Sequence, residues 1–181
     1  MIVDVNASLE HYPFRQLRVT IARGLIDHMP GCGIDVAVVS HLHSVFYRDC
    51  HQGNLELFQE IQPFPCRLIP IVTVNPRYAG WEQDLDECVA RGARGIALWP
   101  EHHGYQLADD SGQAALRRIA DVDLPVALTQ RLEDRRQRHH WDAANDLTLP
   151  PVLEAAAASR SCGSCSATGS DWTQRSCGAP A

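Results

Sequence analysis

Apolar, β-branched runs recur along the chain at intervals of roughly thirty residues, the length of a strand–helix unit. They are MIVDV (1–5), IDVAVVS (34–40), RLIPIVTV (67–74), RGIALW (94–99) and LPVAL (124–128). Each is apolar on both faces, as strands are when helices cover both sides of a parallel sheet. Between them the period changes from two to about 3.6. RQLRVTIARGLIDHM carries Leu17, Ile21, Leu25 and Met29 as an i, i+4 stripe. GWEQDLDECVARGA sets Trp81, Leu85, Cys88 and Val89 on one face and stops at Gly92. SGQAALRRIADV groups Leu116, Ile119 and Ala120, with Asp110 or Ser111 as the expected N-cap. The pattern predicts an α/β fold of about five βα units with parallel strands. Periodicity alone leaves an open doubly wound sheet and a barrel as alternatives.

Composition narrows the partners. The 181 residues suffice for one domain with a sizeable core, and the net charge of −6 argues against a nucleic-acid or anionic-membrane surface. All 16 basic residues are arginine, a sign of GC-rich coding. Neither a membrane-spanning run nor a secretory signal is legible, so a cytoplasmic location is expected. Cys32, Cys50, Cys66 and Cys88 stand singly and read as reduced thiols.

In both α/β architectures chemistry belongs at the carboxyl ends of the strands. The first end offers Asp4, Asn6, Ser8 and His11, with the first three in alternate positions on one expected face. The second offers Ser40, His41 and His43, and the third Asn75. The fourth gives Trp99, Glu101, His102, His103 and Tyr105; the fifth gives Thr129, Gln130 and Arg131. Five of the 9 histidines fall just after these ends. Arg131, Arg135, Arg136 and Arg138 could grip a carboxylate or phosphate. Arg136 and Arg138 read better as a solvated face beside Glu133 and Asp134, which leaves Arg131 as the anion anchor.

The stretches DVNASLEHYPFR, GCGIDVAVVSH, PIVTVNP, ARGARGIALWPEHHGYQL and LPVALTQRLEDRR resemble the amidohydrolase-related family of metal-dependent hydrolases. The resemblance runs from Met1 to about Ala158, and GIALWPEHHGYQL carries most of it. It implies a TIM-barrel fold, here a partial (β/α)8 barrel with residues 1–158 as its domain. It also implies hydrolysis or decarboxylation of a small molecule over the strand ends. His41, His103 and Asp4 would then be catalytic, and Asn6, Ser8, Tyr105 and Arg131 would bind substrate. The family implies a divalent metal such as zinc, held by two histidines at the first strand end. In this chain Asn6 and Ser8 occupy those positions, and neither side chain is a useful zinc ligand. The expectation is therefore that the protein holds no stoichiometric zinc.

The last stretch, SRSCGSCSATGSDWTQRSCGAPA, lacks periodicity. Cys162 and Cys165 form a CxxC that neither opens a helix after a strand nor meets a second CxxC. With GC-rich codons, the neighbouring reading frame from Ser159 gives a strand-like LRVLLRNW. Residues 159–181 are therefore expected to be a disordered, frameshifted tail on an incomplete barrel. Its open strand edges would invite homo-oligomers or aggregation. Three functional alternatives stand: an amidohydrolase-type hydrolase or decarboxylase, an inactive truncated relative that binds a small ligand or nothing, and a five-stranded binding module.

Overall fold

The computed structural model describes residues 1–148 together with Pro150, Val152 and Leu153. The expected domain limit at 158, the CxxC and the 159–181 tail lie outside the described residues.

The strands are β1 (Val3–Leu9), β2 (Val36–His41), β3 (Leu68–Pro70), β4 (Val72–Thr73), β5 (Ile96–Leu98) and β6 (Val126–Leu128). All pair in parallel, in two sheets ordered β1-β2-β3 and β4-β5-β6. The third apolar run supplies both β3 and β4, broken at Ile71. Its first half pairs with β2 and its second with β5, and the Ile71 amide still donates to Val39 O at 2.9 Å. Neighbouring strands thus follow chain order, and the 2-1-3 order of a doubly wound sheet is not what forms.

The helices are α1 (Ala22–His28), α2 (Leu42–Phe46), α3 (Cys50–Ile61), α4 (Trp81–Ala90), α5 (Pro100–His103) and α6 (Asp110–Val122). α4 and α6 match the sequence pattern. The stripe from Leu17 to Met29 does not form one helix. Val19, Thr20 and Ile21 stay extended or looped, and helix begins at Ala22, where the Glu60 carboxylate accepts the free amide at 2.6 Å. The cap of α6 is Asp109, one residue before the expected pair. Its carboxylate accepts from the Gly112 and Gln106 amides, each at 2.8 Å.

One core packs β1, β2 and β3 on α1 and α3 through Ala7, Leu9, Val39, Leu57 and Leu68. A second packs β4 and β5 on α4 and α6 through Val72, Leu85, Ile96, Ala115 and Ile119. The opposite sheet face carries Val38, Ile71, Ala97 and Trp99, with Val45 of α2 packed among them. Toward the amino ends of the strands this face opens into an apolar cavity of about 360 Å³ lined by Val3, Val5, Val36 and Val126. Burying such residues is worth about 1.5–3 kcal/mol each, so the two helix-side layers hold the strand ends in place.

β1 corrects an expectation about its side chains. Asp4 pairs with Ala37, but Ala7 pairs with Val39, so a bulge at Val5 and Asn6 inserts one residue. A one-residue slip exchanges the faces of a strand. Asp4 therefore lies on the opposite face from Ser8, which pairs with Ser40, and Asn6 is left exposed at the bulge. The row of polar residues is not a row in space.

Candidate functional site

At the carboxyl ends of β2, β4 and β5 lies a cavity of about 330 Å³ lined by Phe46, Arg48, Asn75, Arg77, His102 and His103, among others. Local sequence sets each element. Pro100 opens α5 directly after β5, and Gly104 ends it in the left-handed region at φ 68°, so two histidines are presented within a single turn. The Arg77 guanidinium donates to the Gly104 carbonyl, tying the loop after β4 to this turn. Arg48 and Arg77 form no ion pair among the described residues, so two guanidiniums are available to a ligand at the rim.

His102 is the best-supported reactive group. Its Nε2 lies 3.4 Å from Asp142 Oδ1, and Arg138 Nε lies 3.7 Å from the other carboxylate oxygen. Burial holds the His102 imidazole below its ordinary pKa, with the Asp142 carboxylate pulling the other way. Trp99 stands edge-on to His102 at 5.7 Å, and Phe46 does so at 6.1 Å. Tyr12 packs beside Phe46 with ring centroids 6.1 Å apart. Burial, reinforced by Asp142, pushes the Tyr12 phenol up to about 12, so it stays a hydrogen-bond donor at neutral pH. Tyr12 Oη, Trp99 Nε1, His102 Nε2, Arg138 Nε and Asp142 Oδ2 are all buried without a hydrogen-bond partner. Buried polar atoms are nearly always paired; the His102, Asp142 and Arg138 atoms meet one another at 3.4 and 3.7 Å, which leaves the Tyr12 phenol and the Trp99 indole as the unpartnered donors.

The residues singled out from sequence are dispersed. His41 is fully buried on the helix side of β2, beside Glu10 and Glu56. His103 lines the cavity, but its Nε2 turns inward to the Val45 carbonyl at 3.2 Å and to Cys50 Sγ at 3.7 Å. Burial lowers its pKa to about 4. His41 and His103 share no hydrogen bond. Asp4 accepts the Asn6 amide at 2.9 Å and lies at the amino end of β1, away from its carboxyl end. Ser8 is half-buried beside Ser40. Tyr105 packs in the α4–α6 core with its phenol raised by burial, away from the cavity lining. Arg131 is half-exposed, 3.8 Å from Asp146. Arg136 pairs with Asp134 at the surface, as the pattern suggested, whereas Arg138 is drawn inward onto Asp142 and Asp146.

Sequence reasoning passed over Tyr12, Asp142, Glu10 and Glu56. Tyr12 and Glu10 sit inside the quoted strand-end stretch and were legible there. Glu56 and Glu60 form an i, i+4 acidic pair on a helix the pattern did not predict. Asp142 lies in a loop with no periodic signal.

The metal pair implied by the resemblance can be tested on these positions. Asn6 is an exposed amide on a bulge, and Ser8 is a hydroxyl facing Ser40. Amide and hydroxyl oxygens diverging from a bulge do not suit a tight zinc site, and no step is derived through a metal there.

No family profile matches the chain. Over 80 residues it is 30% identical to the phosphate import ATP-binding protein PstB 1 of Synechococcus sp., a match covering 41% of this chain and 29% of that protein. A P-loop needs a lysine; this chain has none, so the match brings no nucleotide-binding motif. Solved structures agree over most of the described fold. The chain is similar to 5-carboxyvanillate decarboxylase of Sphingomonas paucimobilis, with a TM-score of 0.62 and 11% identity over 88% of this chain and 61% of that one. The 5-carboxyvanillate decarboxylase of Novosphingobium aromaticivorans, solved with manganese and 4-hydroxy-3-methoxy-5-nitrobenzoic acid, gives 0.62 at 17% identity, covering 86% and 54%. The 2,6-dihydroxybenzoate decarboxylase of Rhizobium gives 0.54 at 16% identity, covering 78% and 54%. The chain therefore shares the fold of these decarboxylases and spans little more than half the length of these structures. Among the described residues no helix is long and apolar enough to cross a membrane.

Proposed function

We propose that the cavity over the strand ends is the small-molecule site of an amidohydrolase-type hydrolase or decarboxylase, and that its ligand carries a carboxylate. The observation that carries this reading is His102, backed by Asp142, in a cavity rimmed by Arg48 and Arg77. About 330 Å³ suits a single-ring or short-chain acid. The fold neighbours named for 5-carboxyvanillate and 2,6-dihydroxybenzoate act on molecules of that kind.

The residues divide the work. Arg48 and Arg77 hold the ligand carboxylate. His102, neutral at pH 7, takes a proton from water as it adds to a carbonyl. In the decarboxylation version the imidazolium form of His102, charged by a proton from solvent and stabilised by Asp142, delivers that proton to the carbon that keeps the electron pair when CO₂ leaves. Asp142 fixes the imidazole ring and stabilises its charged form. The metal of the fold neighbours has no seat at Asn6 and Ser8, so turnover here rests on this dyad.

That same substitution favours a second reading, in which the chain binds the acid without turning it over. One experiment separates the two. Hydroxybenzoates and short dicarboxylates are screened by thermal shift and calorimetry, and hits are followed for CO₂ release or hydrolysis. Binding with turnover that His102→Gln abolishes supports the enzyme. Binding without turnover supports the second reading. If no acid raises the melting temperature, and Arg48→Gln with Arg77→Gln changes nothing, both readings fall.

A further inference from the structure

On the helix side of the sheet, separated from this cavity by Tyr47, Glu10, His41, His43 and Glu56 converge. Glu10 follows β1, His41 ends β2, His43 lies on α2 and Glu56 on α3. His41 Nε2 is 3.9 Å from Glu10 Oε1 and 3.8 Å from Glu56 Oε2. His43 Nδ1 is 3.4 Å from that same Glu56 oxygen, and His43 Nε2 is 3.8 Å from Glu10 Oε2. The ligand-competent atoms of His41, His43 and Glu56 all lie within 4.8 Å of one another. We infer that this cluster is a binding site for one divalent transition-metal ion of the zinc type, held by His41, His43 and Glu56, with the Glu10 carboxylate beside it.

Three observations support a cation here. First, the His41 side chain is wholly buried and neither ring nitrogen has a hydrogen-bond partner, so an aimed donor atom stands unused in the cluster. Second, the carboxylates of Glu10, Glu56 and Glu60 gather around these imidazoles, and none of them pairs with an arginine among the described residues. Converging negative charge in a partly dry site needs a counter-charge. Third, the spacing is close to a coordination sphere. A tetrahedral ion with bonds of about 2.0–2.1 Å holds its ligands about 3.3 Å apart; Glu56 Oε2 lies 3.4 and 3.8 Å from the two imidazoles, which stand within 4.8 Å of each other and draw together as the ion enters.

The surroundings define who takes part. Gln52 holds the second oxygen of Glu56 at 3.3 Å, leaving Oε2 turned toward the histidines. Glu60 is committed to the Ala22 amide at 2.6 Å and borders the site rather than completing it. Tyr47 Oη sits 2.9 Å from His43 Nδ1 and must yield that nitrogen when the ion enters. Glu10 has a left-handed backbone at φ 77°, which aims its side chain back over the end of β2. An ion here would tie the loop after β1 to α2 and α3, so its role is a clamp on the fold.

The site is independent of the proposed function and is tested without an activity assay. The full chain is stripped with EDTA and titrated with Zn²⁺ by calorimetry, with Co²⁺ absorption as a second readout. A parallel chain carries Cys32→Ser, Cys66→Ser, Cys162→Ser, Cys165→Ser and Cys177→Ser, so that neither the exposed thiols nor those near the C-terminus can supply the signal. One equivalent bound by both chains is expected, with the melting temperature raised by several degrees. Affinity should fall at least tenfold in Glu56→Gln and in His43→Asn; both positions are partly exposed, and circular dichroism checks their folding. No saturable binding, binding indifferent to both substitutions, or binding lost in the cysteine variant would each overturn the site.

Discussion

The Asn54 carboxamide and the Thr73 peptide exchange two hydrogen bonds: Nδ2 donates to the Thr73 carbonyl at 2.8 Å, and the Thr73 amide donates to Oδ1 at 2.9 Å. A helix side chain thus satisfies the backbone where the third apolar run changes sheet partners. Both residues are buried, so Asn54→Ala leaves a donor and an acceptor unpaired. The expected loss is about 2–6 kcal/mol, at roughly 1–3 kcal/mol per orphaned group. Asn54→Asp should cost at least as much, because it sets a carboxylate oxygen against the Thr73 carbonyl. Urea unfolding measures both; a loss below 1 kcal/mol would remove Asn54 as the pin.

Gly53, beside it, marks the closest approach of α3 to α2. A Cβ there would overlap Ser44 Oγ and come within 2.7 Å of the Ser44 amide nitrogen. Because the obstacle includes backbone, Gly53→Ala must push the helices apart. Helix propensity favours alanine by about 1 kcal/mol, so a net destabilisation shows that the close approach outweighs it. Displacing α2 from α3 also separates His43 from Glu56, and Zn²⁺ affinity should fall in this variant as well. A stabilised variant would mean that the two helices slide freely.

The pattern of apolar runs located every strand and two of the longer helices, because buried strands and amphipathic helices leave periodic signals. It lost the bulge in β1, since Val5 and Asn6 look like any alternating pair and only the register on β2 shows the insertion. It lost α2 and α3 because His43, Ser44 and Asn54 place polar atoms where a stripe should be apolar. The candidate site was legible as strand ends rich in histidine, but not as partners. His102 and Asp142 are far apart along the chain, and nothing local announces that a loop returns to seat a carboxylate on an imidazole.

His103 sets an acid limit on stability. Burial lowers it to about 4 in the folded chain, whereas the unfolded chain titrates near the ordinary value of about 6.5. Between those values the unfolded state holds more protons, so stability rises with pH; it is fully present above about 6.5 and drains away as pH falls toward 4. One such group contributes a slope of up to about 1.4 kcal/mol per pH unit. His103→Leu should flatten the slope by about one proton, read from urea midpoints at several pH values. An unchanged slope would place the acid sensitivity elsewhere.

The Asp142 carboxylate acts on two neighbours at once: it raises His102 against the effect of burial, and it raises Tyr12 along with burial. Asp142→Asn keeps the shape and removes the charge. His102 should then titrate still lower, and the Tyr12 phenol should come down from about 12. The pair of directions separates electrostatics from loosening. If the substitution merely opened the loop to water, Tyr12 would fall toward its ordinary value, but His102 would climb toward about 6.5. Histidine NMR and ultraviolet titration of the phenol read the two groups independently. In an active chain the acid limb of the rate profile should follow His102 downward, with lower turnover because the charged imidazole has lost its counter-charge. A rise in the His102 pKa would show that Asp142 holds the loop rather than the proton, and the dyad would no longer carry the proposed chemistry.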